Sequence, residues 1–100
     1  MDKSVLKVTI SHYGEQRQVV KAIEELAELQ KELSKFIGGC MDGSFVNNTD
    51  VRDRTVGLVT AEMADVYVML EQLQMIFGNK TAVEAIIESK VTRLKHRVEG

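Results

Sequence analysis

The sequence predicts a single all-α domain built from long antiparallel helices. Its 100 residues contain no proline, its few glycines are concentrated at a few points, and apolar residues recur at helical spacing over three long segments. A chain of this length has room for one hydrophobic core. Because a few long helices bury little surface alone, we expect copies of the chain to associate and complete a four-helix bundle.

The first 13 residues precede the clear helical pattern. Leu6, Val8 and Ile10 alternate as in a short strand, but a lone strand has nothing to pair with in a helical domain. Residues 1–13 are therefore predicted to form an arm or irregular leader.

The first predicted helix runs from about Glu15 to Ile37 and ends at the glycine pair Gly38-Gly39. One face of it is apolar and carries Val19, Ile23, Leu26, Leu33 and Ile37. The next segment, residues 38–53, is rich in Gly, Asn and Asp and is predicted to be a loop. Connections of that length are usually functional or mobile.

The second predicted helix runs from about Arg54 to Phe77 and ends at Gly78. It is apolar around most of its circumference, which is typical of a central, buried helix. A third helix is predicted to begin at Thr81, which has capping-box spacing to Glu84, and to continue to about Val98.

Charge and composition exclude several classes of protein. A net charge of −2 and a pI of about 5.7 argue against a non-specific nucleic-acid binder. No apolar run approaches the roughly 18 residues of a membrane span. The single cysteine, Cys40, cannot form an intramolecular disulfide, so nothing indicates an oxidising compartment. We expect a cytoplasmic protein without a membrane partner.

Two pairs of acidic residues with helical spacing are candidates for a metal site. Glu25 and Glu28 lie on the first long helix, and Glu62 and Asp65 lie on the second. Residues three apart are neighbours on a helix surface, so two antiparallel helices can bring the pairs face to face. Four carboxylates without histidine or thiolate form an all-oxygen site, which favours Mg²⁺ or Mn²⁺ over zinc.

The two pairs differ in their surroundings. Taken alone, Glu25 and Glu28 belong to a Glu-rich helix surface and are expected to face solvent. Glu62 falls inside the apolar arc of the second helix, with Asp65 at its edge. A carboxylate there needs a partner. The residues leave two alternatives open, a salt bridge to a buried Lys or Arg and a metal ion.

The last predicted helix carries a row of cations. Lys90 lies on the same face as Val83, Ile87 and Leu94, and Arg93 and Arg97 flank it. Cations near a helix C-terminus complement the macrodipole, and Lys can extend past apolar neighbours. The alternative is that the row contacts phosphate oxygens or the outer carboxylates of a metal cluster.

Together these motifs resemble the MazG-like all-α nucleoside triphosphate pyrophosphohydrolases. The family pattern EExxE followed by ExxD is matched by Glu24-Glu25-Leu-Ala-Glu28 and Glu62-Met-Ala-Asp65. The approach to the first motif is also similar, and it contains His12-Tyr13-Gly14, Gln18 and Lys21. The sequence Lys90-x-x-Arg93-Leu94-x-x-Arg97 near the end is also similar to that of the family. The stretch between the two acidic motifs is longer than in compact members of the family.

The resemblance implies a Mg²⁺ site, with Mn²⁺ as a substitute, whose metal-binding and catalytic residues are Glu25, Glu28, Glu62 and Asp65. It implies hydrolysis of an NTP or dNTP to the monophosphate and pyrophosphate in a homodimer or homotetramer. The residues expected to contact substrate or phosphate are Lys90, Arg93, Arg97, Gln18 and Lys21. The alternative function is a non-catalytic helical dimerisation or adaptor module. No residue specifies the base or the sugar.

Overall fold

A computed structural model describes all 100 residues of the chain as four α-helices without a β-strand. The helices are α1 (Lys3–Tyr13), α2 (Glu15–Met41), α3 (Thr49–Phe77) and α4 (Lys80–Glu99). The all-α prediction is confirmed. None of the four helices has the length and apolarity needed to cross a membrane.

Helix α1 replaces the predicted irregular leader, so that prediction was wrong. Asp2 caps the helix, because its Oδ1 accepts hydrogen bonds from the backbone N–H groups of Ser4 and Val5, at 3.0 and 3.4 Å. Leu6 and Ile10 are four residues apart and therefore also fit a helical face. Leu6 is buried, and α1 packs against both α2 and α3.

Helices α2 and α3 pack against each other as an antiparallel hairpin. Near one end Gln18 is hydrogen-bonded to Gln72, and near the other the Arg52 guanidinium lies 5.7 Å from the centre of the Phe36 ring. This register places residue 25 of α2 opposite residues 62–65 of α3, as the acidic-pair hypothesis requires.

The connection between these helices is shorter than predicted. Gly38 and Gly39 do not end α2, which continues to Met41, and α3 begins at Thr49 instead of Arg54. The loop is therefore residues 42–48 and not 38–53. The Phe45 ring occupies the space that a Cβ at Gly39 would need, so this glycine permits a close approach inside the helix.

The end of α3 follows the prediction and the start of α4 does not. Gly78 caps α3 in the left-handed conformation, with φ of 61°, as a helix-ending glycine commonly does. Helix α4 then begins at Lys80, so Thr81 lies inside it and is not its cap. The predicted capping box is wrong.

Helix α4 lies largely apart from the other three helices. It has no buried residue, and its apolar side chains Ile86, Ile87, Val91 and Leu94 are all more than half exposed. The radius of gyration is 17.3 Å, against about 13 Å for a compact domain of this length. The accessible surface is 7577 Å², against about 5,700 Å² for a compact monomer of this mass.

The apolar face of α2 does not point at α3. Its residues Ile23, Leu26, Leu33 and Ile37 are between 46 % and 61 % exposed. The face that packs on α3 is rotated from it by about 100° around the helix axis and is mixed in character. It carries the polar residues Gln18, Glu25 and Glu32 together with Ala22, Leu29, Phe36 and Gly39. Gln18, Ala22, Glu32 and Gly39 are buried on that inner face. In a single copy of the chain, α2 therefore buries several polar side chains on its inner face while its apolar row is about half exposed on the outside.

Candidate metal centre and adjoining cavity

Three of the four predicted acidic residues meet between α2 and α3. Glu25, Glu62 and Asp65 each place one carboxylate oxygen so that the three oxygens lie within 4.8 Å of one another. Glu25 and Glu62 are partly buried and Asp65 is exposed. Because Glu25 belongs to the inner face of α2, with a side chain only 14 % exposed, the expectation that it faces solvent was wrong.

Glu28, the fourth predicted acid, lies beside this group without joining it. It is exposed and contributes no oxygen to the three-oxygen group. Its charge nevertheless acts on Glu62, where it helps to raise the pKa. We refer to Glu25, Glu62 and Asp65 as the acidic triad and to Glu28 as its neighbour.

Glu62 is the most perturbed member of the triad. Desolvation raises the pKa of its carboxyl first, followed by the negative charges of Glu25 and Asp65. Its Oε2 is buried and accepts no hydrogen bond. No Lys or Arg forms a salt bridge with it in the chain. The sequence left two possible partners for Glu62, a buried Lys or Arg and a metal ion. The salt bridge to Lys or Arg is not formed within one copy of the chain.

The triad suits a hard divalent cation. All its donors are carboxylate oxygens, and the unpartnered oxygen of Glu62 is available to a ligand. Two oxygens on opposite sides of one Mg²⁺ lie about 4.2 Å apart. Oxygens on adjacent sides lie about 3.0 Å apart, so three oxygens that lie within 4.8 Å of one another have to close by up to roughly 1.8 Å to bind one ion. Rotation of the exposed Asp65 side chain can supply part of this movement.

Lys21 lies at the edge of the triad. Its ammonium is 3.1 Å from Glu25 Oε1 and 3.8 Å from Glu24 Oε2, and Glu25 is the main cause of its raised pKa. The ammonium is about half exposed. A predicted phosphate-binding residue is thus placed next to the predicted metal-binding residues.

Lys21 also lines a cavity of about 540 Å³ where α1, α2 and α3 meet. Its floor contains Gln18, Gln72 and Met69, and its walls include Tyr13 and Arg17. Gln18 was predicted from the sequence as a substrate-binding residue, whereas Gln72 and Arg17 were not. The available signal for Gln72 was its position three residues after Met69, on the same face of α3.

A second partnerless carboxylate oxygen lies two helical turns from Glu25. Glu32 is 7 % exposed, and its Oε2 is buried without a hydrogen bond. Its other oxygen is 3.4 Å from the Lys35 ammonium. Glu32 does not belong to a group of three or more residues that could bind a metal ion together.

The predicted cationic row is not brought to the triad within one chain. Lys90, Arg93 and Arg97 are exposed and form no salt bridge. They lie on α4, which makes no extensive contact with α2 or α3.

No family model matches the sequence, and no curated protein or solved structure is similar to it. The function therefore has to be argued from the residues and their arrangement.

Proposed function

We propose that this protein is a Mg²⁺-dependent nucleoside triphosphate pyrophosphohydrolase with a MazG-like fold. Its substrate is an NTP or dNTP, and its products are the monophosphate and pyrophosphate. The observation that carries the proposal is the buried, unpartnered Oε2 of Glu62 between the carboxylates of Glu25 and Asp65. Lys21 pairs with Glu25, but no Lys or Arg forms a salt bridge with Glu62 or Asp65, and their negative charges close to Glu25 are unfavourable unless a further cation binds them.

The surroundings of the triad support a phosphate-bearing ligand. A bound Mg²⁺ or Mn²⁺ would join carboxylate and phosphate oxygens and lower the pKa of a water molecule. Lys21 has an ammonium beside Glu25 and at the mouth of the cavity, where it can pair with a phosphate oxygen. An acidic cluster with an adjoining cation is the arrangement that phosphoryl transfer requires.

In the proposed reaction, the oxygen of water forms a bond to the α-phosphorus. The bond from that phosphorus to the oxygen bridging the α- and β-phosphates breaks, and pyrophosphate leaves. A carboxylate of the acidic group accepts the water's proton. Glu28 is suited to this step, because it is exposed and next to the triad without belonging to it.

We also propose that the active form contains at least two copies. The chain exposes roughly 1,900 Å² more surface than a compact monomer of its mass, which is more than twice the roughly 800 Å² that each partner buries in a standard protein interface. The outer face of α2 and the apolar side of α4 account for much of this surface. A second copy that covers both would complete a helical bundle.

Association also gives the cationic row a role. Lys90, Arg93 and Arg97 do not approach the triad of their own chain, and α4 is free to pack on another copy. In the proposed assembly, α4 of one copy brings these residues to the triad of the other, where they neutralise the departing pyrophosphate.

The direct test is product analysis. The purified chain is incubated with a panel of NTPs and dNTPs and Mg²⁺, and pyrophosphate and orthophosphate are measured separately. We expect release of pyrophosphate from at least one nucleotide, and none after chelation of the metal. Orthophosphate as the only phosphate product, without added pyrophosphatase, would contradict attack at the α-phosphorus.

A second candidate function is a helical dimerisation or adaptor module without catalysis. The long exposed apolar row of α4 favours it, since such a surface binds helices whether or not a site is present. This candidate predicts association without divalent-metal binding. A chain that associates, binds no Mg²⁺ and releases no pyrophosphate would support it.

A further inference from the structure

We propose that the chain binds a phosphate group at a second site, in a cavity at the junction of α1, α3 and α4. The cavity measures about 380 Å³, which lies within the range of about 300 to 1,000 Å³ typical of small-molecule sites. Three of the side chains that line it are lysines, and we refer to Lys3, Lys7 and Lys80 as the lysine cluster. The site goes beyond the proposed function and does not depend on it.

The fold brings the lysine cluster together from two helices. Lys3 and Lys7 are one helical turn apart on α1 and therefore lie on the same side of it. Lys80 is the first residue of α4, and its ammonium is within hydrogen-bond reach of that of Lys3. The hydrogen bond and the positive charge of Lys80 both lower the pKa of Lys3. None of the three lysines forms a salt bridge, so their mutual repulsion is unfavourable unless an anion binds them.

The lining of this cavity is positive although the chain as a whole is acidic. Glu71 is the one acidic residue that lines it, so three lysines and one glutamate leave a net charge of +2. The whole chain has a net charge of −2. Gln74 and Thr81 add an amide and a hydroxyl that can donate hydrogen bonds to an anion. A phosphate group carries about −1.5 to −2 charges at pH 7, which matches this lining.

The start of α4 adds backbone donors to the same cavity. Asn79 precedes the helix, but its side chain does not cap it, and its Oδ1 is buried without a hydrogen bond. The backbone N–H groups of Lys80 and Thr81 therefore have no acceptor within the chain. Both residues line the cavity. The N-terminal end of a helix carries a partial positive charge, and its free N–H groups bind phosphate oxygens.

This cavity is separate from the acidic triad. It shares no lining residue with the cavity that Lys21 lines. On α3, Glu71 follows Asp65 by six residues, which is a rise of about 9 Å along the helix. The lysine cluster contains no residue of the triad or of the predicted cationic row. Phosphate binding at this site therefore does not require Mg²⁺.

The test is an NMR titration of the isotopically labelled full chain with inorganic phosphate, without added metal. The pH is fixed, and sodium chloride keeps the ionic strength constant. We expect saturable shifts of the backbone amide signals of Lys80 and Thr81 and no shift of Gln30, which is exposed on α2. Acetate, an anion with a single charge, should shift these signals much less at the same ionic strength.

Two double variants check the assignment. Lys3→Gln with Lys80→Gln removes two ammonium groups from the cavity, so we expect at least about tenfold weaker phosphate binding. Both lysines are exposed, so these changes do not disturb the packed helices. Lys31→Gln with Lys95→Gln is the matched control. It removes the same charge at exposed positions outside the cavity and should bind phosphate like the wild type.

Three results would overturn the phosphate site. They are the absence of a saturable shift at Lys80 and Thr81, an equal shift with acetate, and equal weakening of binding in the control variant. The measurement contains neither metal nor nucleotide. Loss of the phosphate site would therefore leave the proposed reaction standing, and failure to hydrolyse any nucleotide would leave the phosphate site standing.

Discussion

The two long faces of α2 have the opposite character from that of an ordinary surface helix. The inner face, against α3, carries Gln18, Glu25 and Glu32, all buried or largely buried. The outer face is apolar, and its Ile23 and Leu33 are about half exposed. Apolar surface is normally placed where it leaves water, and buried carboxylates normally have partners. A single copy of this chain satisfies neither rule.

The difference indicates that the inner and outer faces of α2 have different functions. We infer that the inner face is kept polar for a ligand and that the outer face holds the assembly together. The two faces make different predictions, because substitutions outside should change association, and substitutions inside should change metal binding or stability. Leu33 on the outer face and Glu32 on the inner face are adjacent in sequence and provide the sharpest contrast.

A charge on the outer face should have the largest effect. Leu33→Glu places a carboxylate in the proposed interface, and we expect self-association to weaken by about 30-fold or more. Sedimentation velocity over a range of concentrations measures this. The control is Lys31→Glu, an exposed position on the same helix, which should associate like the wild type. Equal association of Leu33→Glu and wild type would remove the outer face from the interface.

Mixing two inactive variants tests whether α4 serves the triad of another copy. Glu62→Gln removes a triad carboxylate, and Lys90→Gln with Arg93→Gln removes the cations. Each alone should lose about 100-fold in turnover. When the two variants assemble at random into dimers, half of the dimers contain one copy of each variant. Each of these dimers has one intact site, formed by the triad of the cation variant and α4 of the Glu62→Gln variant. About a quarter of wild-type activity should therefore return. No recovery after re-equilibration would contradict a shared site.

The orphan carboxylate of Glu32 should reduce stability without serving the reaction. Glu32→Leu removes a buried Oε2 that has no partner and an Oε1 that pairs only with the half-exposed Lys35, and it adds apolar volume. Because the exposed ion pair contributes little, we expect the unfolding free energy to rise by about 1 kcal/mol. Chemical denaturation of the assembled protein measures this. The same change at exposed Glu24 is the control and should have little effect. A loss of stability at Glu32→Leu would show that this carboxylate has a partner in the assembly.

The pKa of Glu62 predicts how the metal-free protein responds to pH. Because its pKa in the fold lies above the ordinary 4.5, the folded chain binds a proton more tightly than the unfolded chain. The contribution of Glu62 to the free energy of unfolding is therefore greatest below pH 4.5. It falls as the pH rises through the pKa that Glu62 has in the folded chain. The groups around it are Glu25, Glu28, Asp65 and, beyond Glu25, Lys21.

Thermal unfolding from pH 4 to pH 8 in a chelating buffer checks this. Glu62→Gln should unfold at a higher temperature than the wild type at neutral pH and should lose most of that advantage at the acid end. An identical pH dependence of the two proteins would contradict a raised pKa at Glu62.

The sequence predicted the three long helices but neither helix α1 nor which face of α2 packs on α3. Gly78 ends α3 as predicted because a left-handed cap needs no tertiary context. Gly39 was misassigned as a helix stop, since its role depends on Phe45 from the following loop. Helix α1 was missed because Leu6, Val8 and Ile10 fit alternation as well as a helical turn. Its cap, Asp2, was the signal that distinguished the two.

The residues of the site also divide into those that could be predicted from the sequence and those that could not. Glu62 and Asp65 could be singled out because a carboxylate in an apolar arc is visible in the sequence. The burial of Glu25 could not be foreseen, because the apolar pattern of α2 reports the outer face and not the one packed on α3. Gln72 was missed because its meaning depends on Gln18, 54 residues away.

Isothermal titration of Mg²⁺ tests the central claim most directly, that the triad is a metal site. It compares the wild type with Glu62→Gln and with Glu32→Gln, a matched change at the other buried orphan carboxylate. We predict that wild type and Glu32→Gln bind Mg²⁺ alike, and that Glu62→Gln binds at least about 100-fold more weakly. Absence of Mg²⁺ binding by the wild type would contradict the metal site and with it the proposed enzyme.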